Sequence, residues 1–294
     1  MDMNRARRVA TTSASHGSNL EICYAITPGP STHNNGWVVL VHGSLQSKSI
    51  WDRYGYTDAL AQHHHVVTVD VLGHGDSSKP RLPQRYAMNY LVDDIRAVLD
   101  EIGVQSVHYM GYSLGGRIGL AMAANRPERL ASLVILGSSH HAQHDLVDAF
   151  FFPGAADILE TGGMSAFLAG WQTAQNFTMS RASFDRFIKR DPFALAAYLR
   201  SLPLDSGISG DRMSAIKLPT LICAGTNDAL RFDESIEATN LIPGSQFFPL
   251  AGKNHAQTIT DGAAEVLDRV TAFFQSTNSA DFDGARIQPM LRTG

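Results

Sequence analysis

The sequence predicts an α/β fold: a mostly parallel central sheet covered by helices on both faces, with a helical segment inserted late in the chain. Three observations carry this. Short runs apolar on both faces, such as residues 37–41 and 66–69, alternate with amphipathic stretches. These runs stop at glycine or polar residues, as strands do before a crossover. Near the middle, Val107, Tyr109 and Met110 lead into a corner at Ser113, after which Leu114, Ile118, Ala121 and Met122 recur at helical spacing.

Taken in order, residues 1–18 read as a polar, loose lead. Strands are expected over 20–26 and 37–41, separated by a turn-rich stretch with Pro28, Gly29, Pro30 and Gly36. A helix is expected over 51–61, then a buried strand over 66–70. Residues 88–102 form an amphipathic helix with Leu91, Ile95, Val98, Leu99 and Ile102 on one face. The strand and helix around Ser113 follow, then a strand over 130–137. From 140 to 214 the strand pattern gives way to short helical segments rich in aromatics. Strands resume at 220–224 and 246–250, and a helix over 262–275 closes the core. This divides the chain into a core (1–139 and 215–276), a helical insertion (140–214) and a polar tail (277–294). Phe282, Ile287, Met290 and Leu291 are candidate docking points on the tail.

Bulk properties exclude several classes. A chain of 294 residues, 44% hydrophobic and 18% charged, can bury one large core. Its net charge of −4 offers no basic field to displace counterions, which argues against a nucleic-acid partner. Cys23 and Cys223 each lie in an apolar run and read as small buried side chains, so no disulfide framework is expected. That suits a reducing, cytoplasmic compartment. Arg5, Arg7 and Arg8 are not followed by the apolar stretch of a secretory signal, and no run is long enough to span a bilayer.

The corner at Ser113 concentrates the chemistry. Gly111 and Gly115 flank it because strand and helix nearly touch there, and the sharp turn calls for a strained backbone of positive φ. The serine hydroxyl is pushed out at a helix N-terminus, where free N–H groups favour an anion. A glycine-rich turn with an incidental serine would share this pentapeptide, so the remaining residues have to decide. Ser44, Ser113, Asp228 and His255 all fall at C-terminal strand ends, where α/β sheets collect their chemistry.

With these motifs the chain resembles the α/β-hydrolase superfamily, in its serine-nucleophile, esterase/lipase-like branch with a helical cap. The resemblance rests on His42-Gly43 after a buried strand, Asp70-x-x-Gly73-His74-Gly75-x-Ser77, Gly111-x-Ser113-x-Gly115-Gly116, Gly225-x-x-Asp228 and the late His255. It implies Ser113 as nucleophile, His255 as the base that later returns the proton, and Asp228 as the group orienting the imidazole. It implies the N–H groups of Ser44 and Leu114 as the oxyanion hole, with the Ser44 hydroxyl as an open second donor. Residues 140–214 would be the cap, with Phe150, Phe151, Phe167, Trp171 and His140 as pocket candidates. Asp211 and Asp261 are weaker third members. Asp233 is expected to cap the helix that follows Asp228. His42 is expected to shape the oxyanion loop, and Asp70 and His74 to fix a turn.

His63, His64 and His65 lack partners at ligand spacing and read as a solvated loop; no metal or cofactor is expected. His140, His141 and His144 sit where the insertion leaves the core. The implied activity is hydrolysis of a small-molecule carboxylic ester, or a lactone, with an aromatic or aliphatic part. Carbon–carbon bond hydrolysis and cofactor-free perhydrolysis use the same residues and stay open. So does a slow-turnover ligand receptor of the same fold. The sequence does not indicate an oligomeric state.

Overall fold

The computed structural model describes residues 8–13, 19–30 and 36–278. Its strands are β1 (Arg8–Ser13), β2 (Asn19–Thr27), β3 (Trp37–Val41), β4 (His65–Val69), β5 (Val107–Tyr112), β6 (Leu130–Leu136), β7 (Thr220–Gly225) and β8 (Gln246–Leu250). They form one sheet in the order β1-β2-β4-β3-β5-β6-β7-β8. β1–β2 and β2–β4 pair antiparallel; every later neighbour pairs parallel. The core helices are α1 (Ser49–Arg53), α2 (Tyr56–Leu60), α3 (Met88–Glu101) and α4 (Leu114–Asn125). Between β6 and β7 come α5 (Leu146–Phe150), α6 (Ala155–Ala174), α7 (Arg181–Phe187), α8 (Pro192–Ser201) and α9 (Gly210–Ser214). α10 (Phe232–Leu241) and α11 (Ala263–Asn278) complete the chain.

The period of two along the strands explains why both faces are covered. On β3, Val39 and Val41 join the cluster that holds Ile95, Val98 and Leu99 of α3 and Ile118 and Met122 of α4. Val38 and Leu40 point the other way, to Trp51 and Leu60 of α1 and α2 and Val266, Val270 and Phe274 of α11. Cys23 and Cys223 are buried and unbridged. Among the described residues, no helix is long and apolar enough to cross a membrane.

Three expectations are corrected here. Residues 8–13 are not loose: they form β1, hydrogen-bonded along β2 at the sheet edge with Ala10 buried. Thr11 on this edge strand is exposed, so the run lacks an apolar signature. The helix expected over 51–61 is two short helices, broken at Gly55, whose φ of 79° no helix tolerates. The histidine tract is not a solvated loop throughout. His63 is exposed, but His65 opens β4, and His64 is buried with its ring edge-on to His108 and Phe274. Burial pushes His64 down to about 4, so it is neutral at physiological pH. The tail expected over 277–294 lies, beyond residue 278, outside the described residues, as do its docking points.

Candidate active site

β5 and α4 meet at Ser113, which has φ 51° and ψ −111°, a costly backbone for a residue with a Cβ. Several contacts over-determine it. The Ser113 N–H donates to Leu136 O at 2.9 Å, and the Ser138 hydroxyl donates to Ser113 O at 2.8 Å. The flanking glycines are required by close approach: a Cβ on Gly111 would overlap Gly115 O, and one on Gly115 would overlap Val41 O. The Gly115 N–H donates to His42 O at 3.1 Å, and the buried Tyr109 hydroxyl donates to Gly115 O at 2.6 Å. Backbone, helix and neighbouring strand are thus locked at van der Waals distance.

The loops after β7 and β8 bring the other two residues to this corner. Asp228 turns tightly after β7, its N–H donating to Gly225 O at 3.0 Å, and is 4% exposed. His255 opens a short turn after β8. Its Nδ1 is 2.7 Å from Asp228 Oδ2 and its Nε2 is 3.2 Å from Ser113 Oγ. An ionised carboxylate can only accept, so Nδ1 carries the proton and Nε2 presents a lone pair to the serine hydroxyl. The imidazole lies against Tyr112 and edge-on to Phe150, with ring centroids 5.1 Å away in each case. Gly137, at φ 53°, leaves room for it: a Cβ there would sit 3.3 Å from His255 Nδ1.

The expectation that Asp233 caps α10 fails, since Arg231 holds the cap position and Asp233 sits in the first turn. Asp228 is nonetheless engaged with His255. Asp211 lies on α9, and Asp261 bonds Gln257 and Thr260; neither approaches the imidazole.

The loop after β3 forms the opposite wall. His42 is fully buried, accepts the Val71 N–H on Nε2 at 3.1 Å and so donates from Nδ1 to Gly43 O at 2.8 Å. Burial pushes it down to about 4, so it is a neutral structural strut. Asp70 accepts N–H bonds from Lys48 and Asp76 and pairs with the Lys48 ammonium. Burial works to raise its carboxyl, but His42 and Lys48 together hold it below the usual carboxylate range. His74 donates to Leu72 O and is pushed by burial to about 3. Leu114 is the first residue of α4, so its N–H has no intrahelical acceptor. Among the described residues no acceptor meets the Ser44 N–H either. The Ser44 hydroxyl is 2.7 Å from the Tyr198 hydroxyl of α8.

Ser113 and His255 open onto a cavity of about 650 Å³ roofed by the helices between β6 and β7. Phe150, Phe151 and Trp171 line it as expected. Phe167 and His140 do not: Phe167 is fully buried behind Phe151 and Trp171, and His140 faces Glu237 across 3.7 Å. Tyr198, Arg53, Arg186 and Arg190 also line the cavity and were not anticipated. The one available signal was the spacing of four between Arg186 and Arg190, with no acid at helical spacing to pair them.

Two groups among the described residues bring three metal-ligand atoms within 4.8 Å of one another. In Cys23, Asp70 and Asp76, the Lys48 ammonium already takes the cation's place. In His140, His141 and Glu237, the carboxylate is bonded by His141 Nε2 at 2.8 Å.

Comparison with known proteins agrees with this architecture. A family model described as alpha/beta hydrolase fold matches residues 36–161. The chain has the α/β-hydrolase fold, and its matches to named hydrolases support an enzyme of the hydrolase class. Among solved structures, the enol-lactonase from Burkholderia xenovorans LB400 is 24% identical, with a TM-score of 0.74 over 87% of this chain and 97% of that one. A Nitrososphaera gargenis structure from a study of carboxylesterases is 20% identical, with a TM-score of 0.77 over 92% and 100% of the two chains. A Bacillus subtilis (strain 168) protein, provisionally named 2-succinyl-6-hydroxy-2,4-cyclohexadiene-1-carboxylate synthase, is 26% identical over 73% of this chain and 82% of its own.

Proposed function

We propose that the protein is a serine hydrolase that cleaves a carboxylic ester, open-chain or lactone, through an acyl-enzyme on Ser113. The observation that carries this is the unbroken chain from Ser113 Oγ through the His255 imidazole, at 3.2 and 2.7 Å, to the buried Asp228 carboxylate. Ser113 Oγ attacks the ester carbonyl while His255 Nε2 takes its proton. The imidazolium so formed is stabilised by Asp228 and returns the proton to the leaving alcohol. Water, activated by the same imidazole, then releases the acid. The Ser44 and Leu114 N–H groups receive the oxyanion, each donor supplying about 3 kcal/mol of transition-state stabilisation. The helices of residues 140–214 act as the cap, and Phe150, Phe151 and Trp171 give the substrate an apolar bed. The enol-lactonase and carboxylesterase relatives are consistent with either form of ester.

A fluorophosphonate probe tests the assignment. Intact protein should gain the mass of one adduct, located by peptide mapping at Ser113, in parallel with loss of p-nitrophenyl ester turnover. Folded protein that stays unlabelled and active would refute it. Fast cleavage of a vinylogous diketone beside background ester turnover would move the chemistry to carbon–carbon bonds.

A further inference from the structure

Several arginines among the described residues meet a carboxylate: Arg117, Arg129 and Arg200, and on the cavity wall Arg231, which pairs with Glu234. The other arginines of the cavity above Ser113 do not. Arg53 on α1, Arg186 on α7 and Arg190 just beyond it line the same space, and among the described residues none has a carboxylate partner. Arg186 reaches only the Ser183 hydroxyl, at 2.7 Å. The Arg190 Nε is buried and has no hydrogen-bond partner among the described residues. The acids Arg190 senses, Asp70 and Asp76, are bound to Lys48, while Arg53 and Arg186 repel it. Asp228, a further acid on the cavity wall, is committed to His255. A buried guanidinium donor without an acceptor is costly, and like charges gathered around it add to that cost. A planar, two-oxygen anion would relieve both, because it can accept two parallel N–H bonds from one guanidinium.

We infer that the ester cleaved at Ser113 carries a free carboxylate, which Arg190 binds with help from Arg186 and Arg53. This rests on reading Ser113 as the nucleophile, and it narrows that reading to anionic substrates with an apolar middle. The aromatic lining fits the hydrocarbon part; the arginines select the end.

The test compares mono-p-nitrophenyl glutarate with p-nitrophenyl valerate, which differ in a terminal carboxylate against a methyl. After subtraction of spontaneous hydrolysis, kcat/KM should favour the glutarate, and added NaCl should erode that preference. Arg190→Gln should lower the glutarate-to-valerate ratio about 10- to 100-fold, the scale of a charged hydrogen-bonded pair. Arg53→Gln, at an exposed position, should lower the ratio by less and carries the same test if Arg190→Gln does not fold. A wild-type ratio at or below one, or a ratio unmoved by both substitutions, overturns the carboxylate site. Calorimetry of glutarate on Ser113→Ala separates the two readings. Glutarate bound, and lost with Arg190→Gln, in a protein whose Ser113 takes no fluorophosphonate would sink the hydrolase reading alone. Brisk valerate hydrolysis with no glutarate binding would sink the carboxylate site alone.

Discussion

Gly115→Ala probes the corner more directly than replacing Ser113 would. A Cβ at this position overlaps the Val41 carbonyl oxygen and comes within 2.9 Å of His42 O. Both are main-chain atoms of the central strand and its loop, so no side chain can swing aside. Carbon contacts relax near 3.5 Å, which requires α4 to retreat by roughly 1.5 Å. Overpacking of this kind costs about 1–3 kcal/mol, or about 2–4 °C in Tm for each kcal/mol in a domain of this size. The retreat also carries Ser113 and the Leu114 N–H away from His255 and Ser44, and an ångström of misplacement costs about 100-fold in rate. The assay is kcat/KM on p-nitrophenyl ester, normalised to fluorophosphonate-titratable sites, beside a melting curve. Gly103→Ala is the control: Gly103 has φ 71° and nothing within 4 Å of an added Cβ. It should lose about 1–2 kcal/mol from backbone strain and keep its rate. A Gly115→Ala protein with wild-type Tm and rate, or a Gly103→Ala protein equally inactive, would refute the close-approach account.

Two further outcomes are expected. Asp228→Asn keeps the fold but presents an amide to His255 Nδ1, favouring the wrong tautomer; kcat should fall about 10⁴-fold while fluorophosphonate labelling slows in step. Unchanged turnover would remove Asp228 from the mechanism. Acid should destabilise the fold well before carboxylates titrate. His42, His64 and His74 are held down to about 4, about 4 and about 3 by burial, against 6.5 in the unfolded chain. Their stabilising effect is therefore complete above pH 6.5 and is lost as pH falls towards 4, because only the unfolded chain takes up protons over that window. Between pH 6.5 and 4 each group accounts for about 3 kcal/mol. Urea midpoints at pH 7.0, 5.5 and 4.5 should fall steadily; a flat series would contradict the burial of these rings.

The parts legible in the sequence are those governed by local rules. β3 and β8 have the bounds their patterns predict, and Ser113 stands on the turn its glycines demand. The order of Ser113, Asp228 and His255 along the chain was enough to bring them together, because each sits at a strand's C-terminal end. What stayed hidden depends on packing across the molecule. β1 is stabilised by pairing with β2, not by its own polar residues. Phe167 and Phe151 have the same chemistry, yet only their positions in the helical layer decide which one meets the cavity. The unpaired arginines come from two segments more than a hundred residues apart, and a lone Arg carries no mark of a missing partner.

The bond between Ser44 and Tyr198 ties the floor of the cavity to its roof. A roof helix that swings outward to admit or release a molecule must either let go of that hydroxyl or drag the loop bearing Ser44 with it. If Ser44 serves the oxyanion as proposed, traffic and chemistry are not separable modules in this protein. Grafting the roof of another relative onto this scaffold would leave Ser44 without its tether unless the donor segment also supplied a phenol at the position of Tyr198.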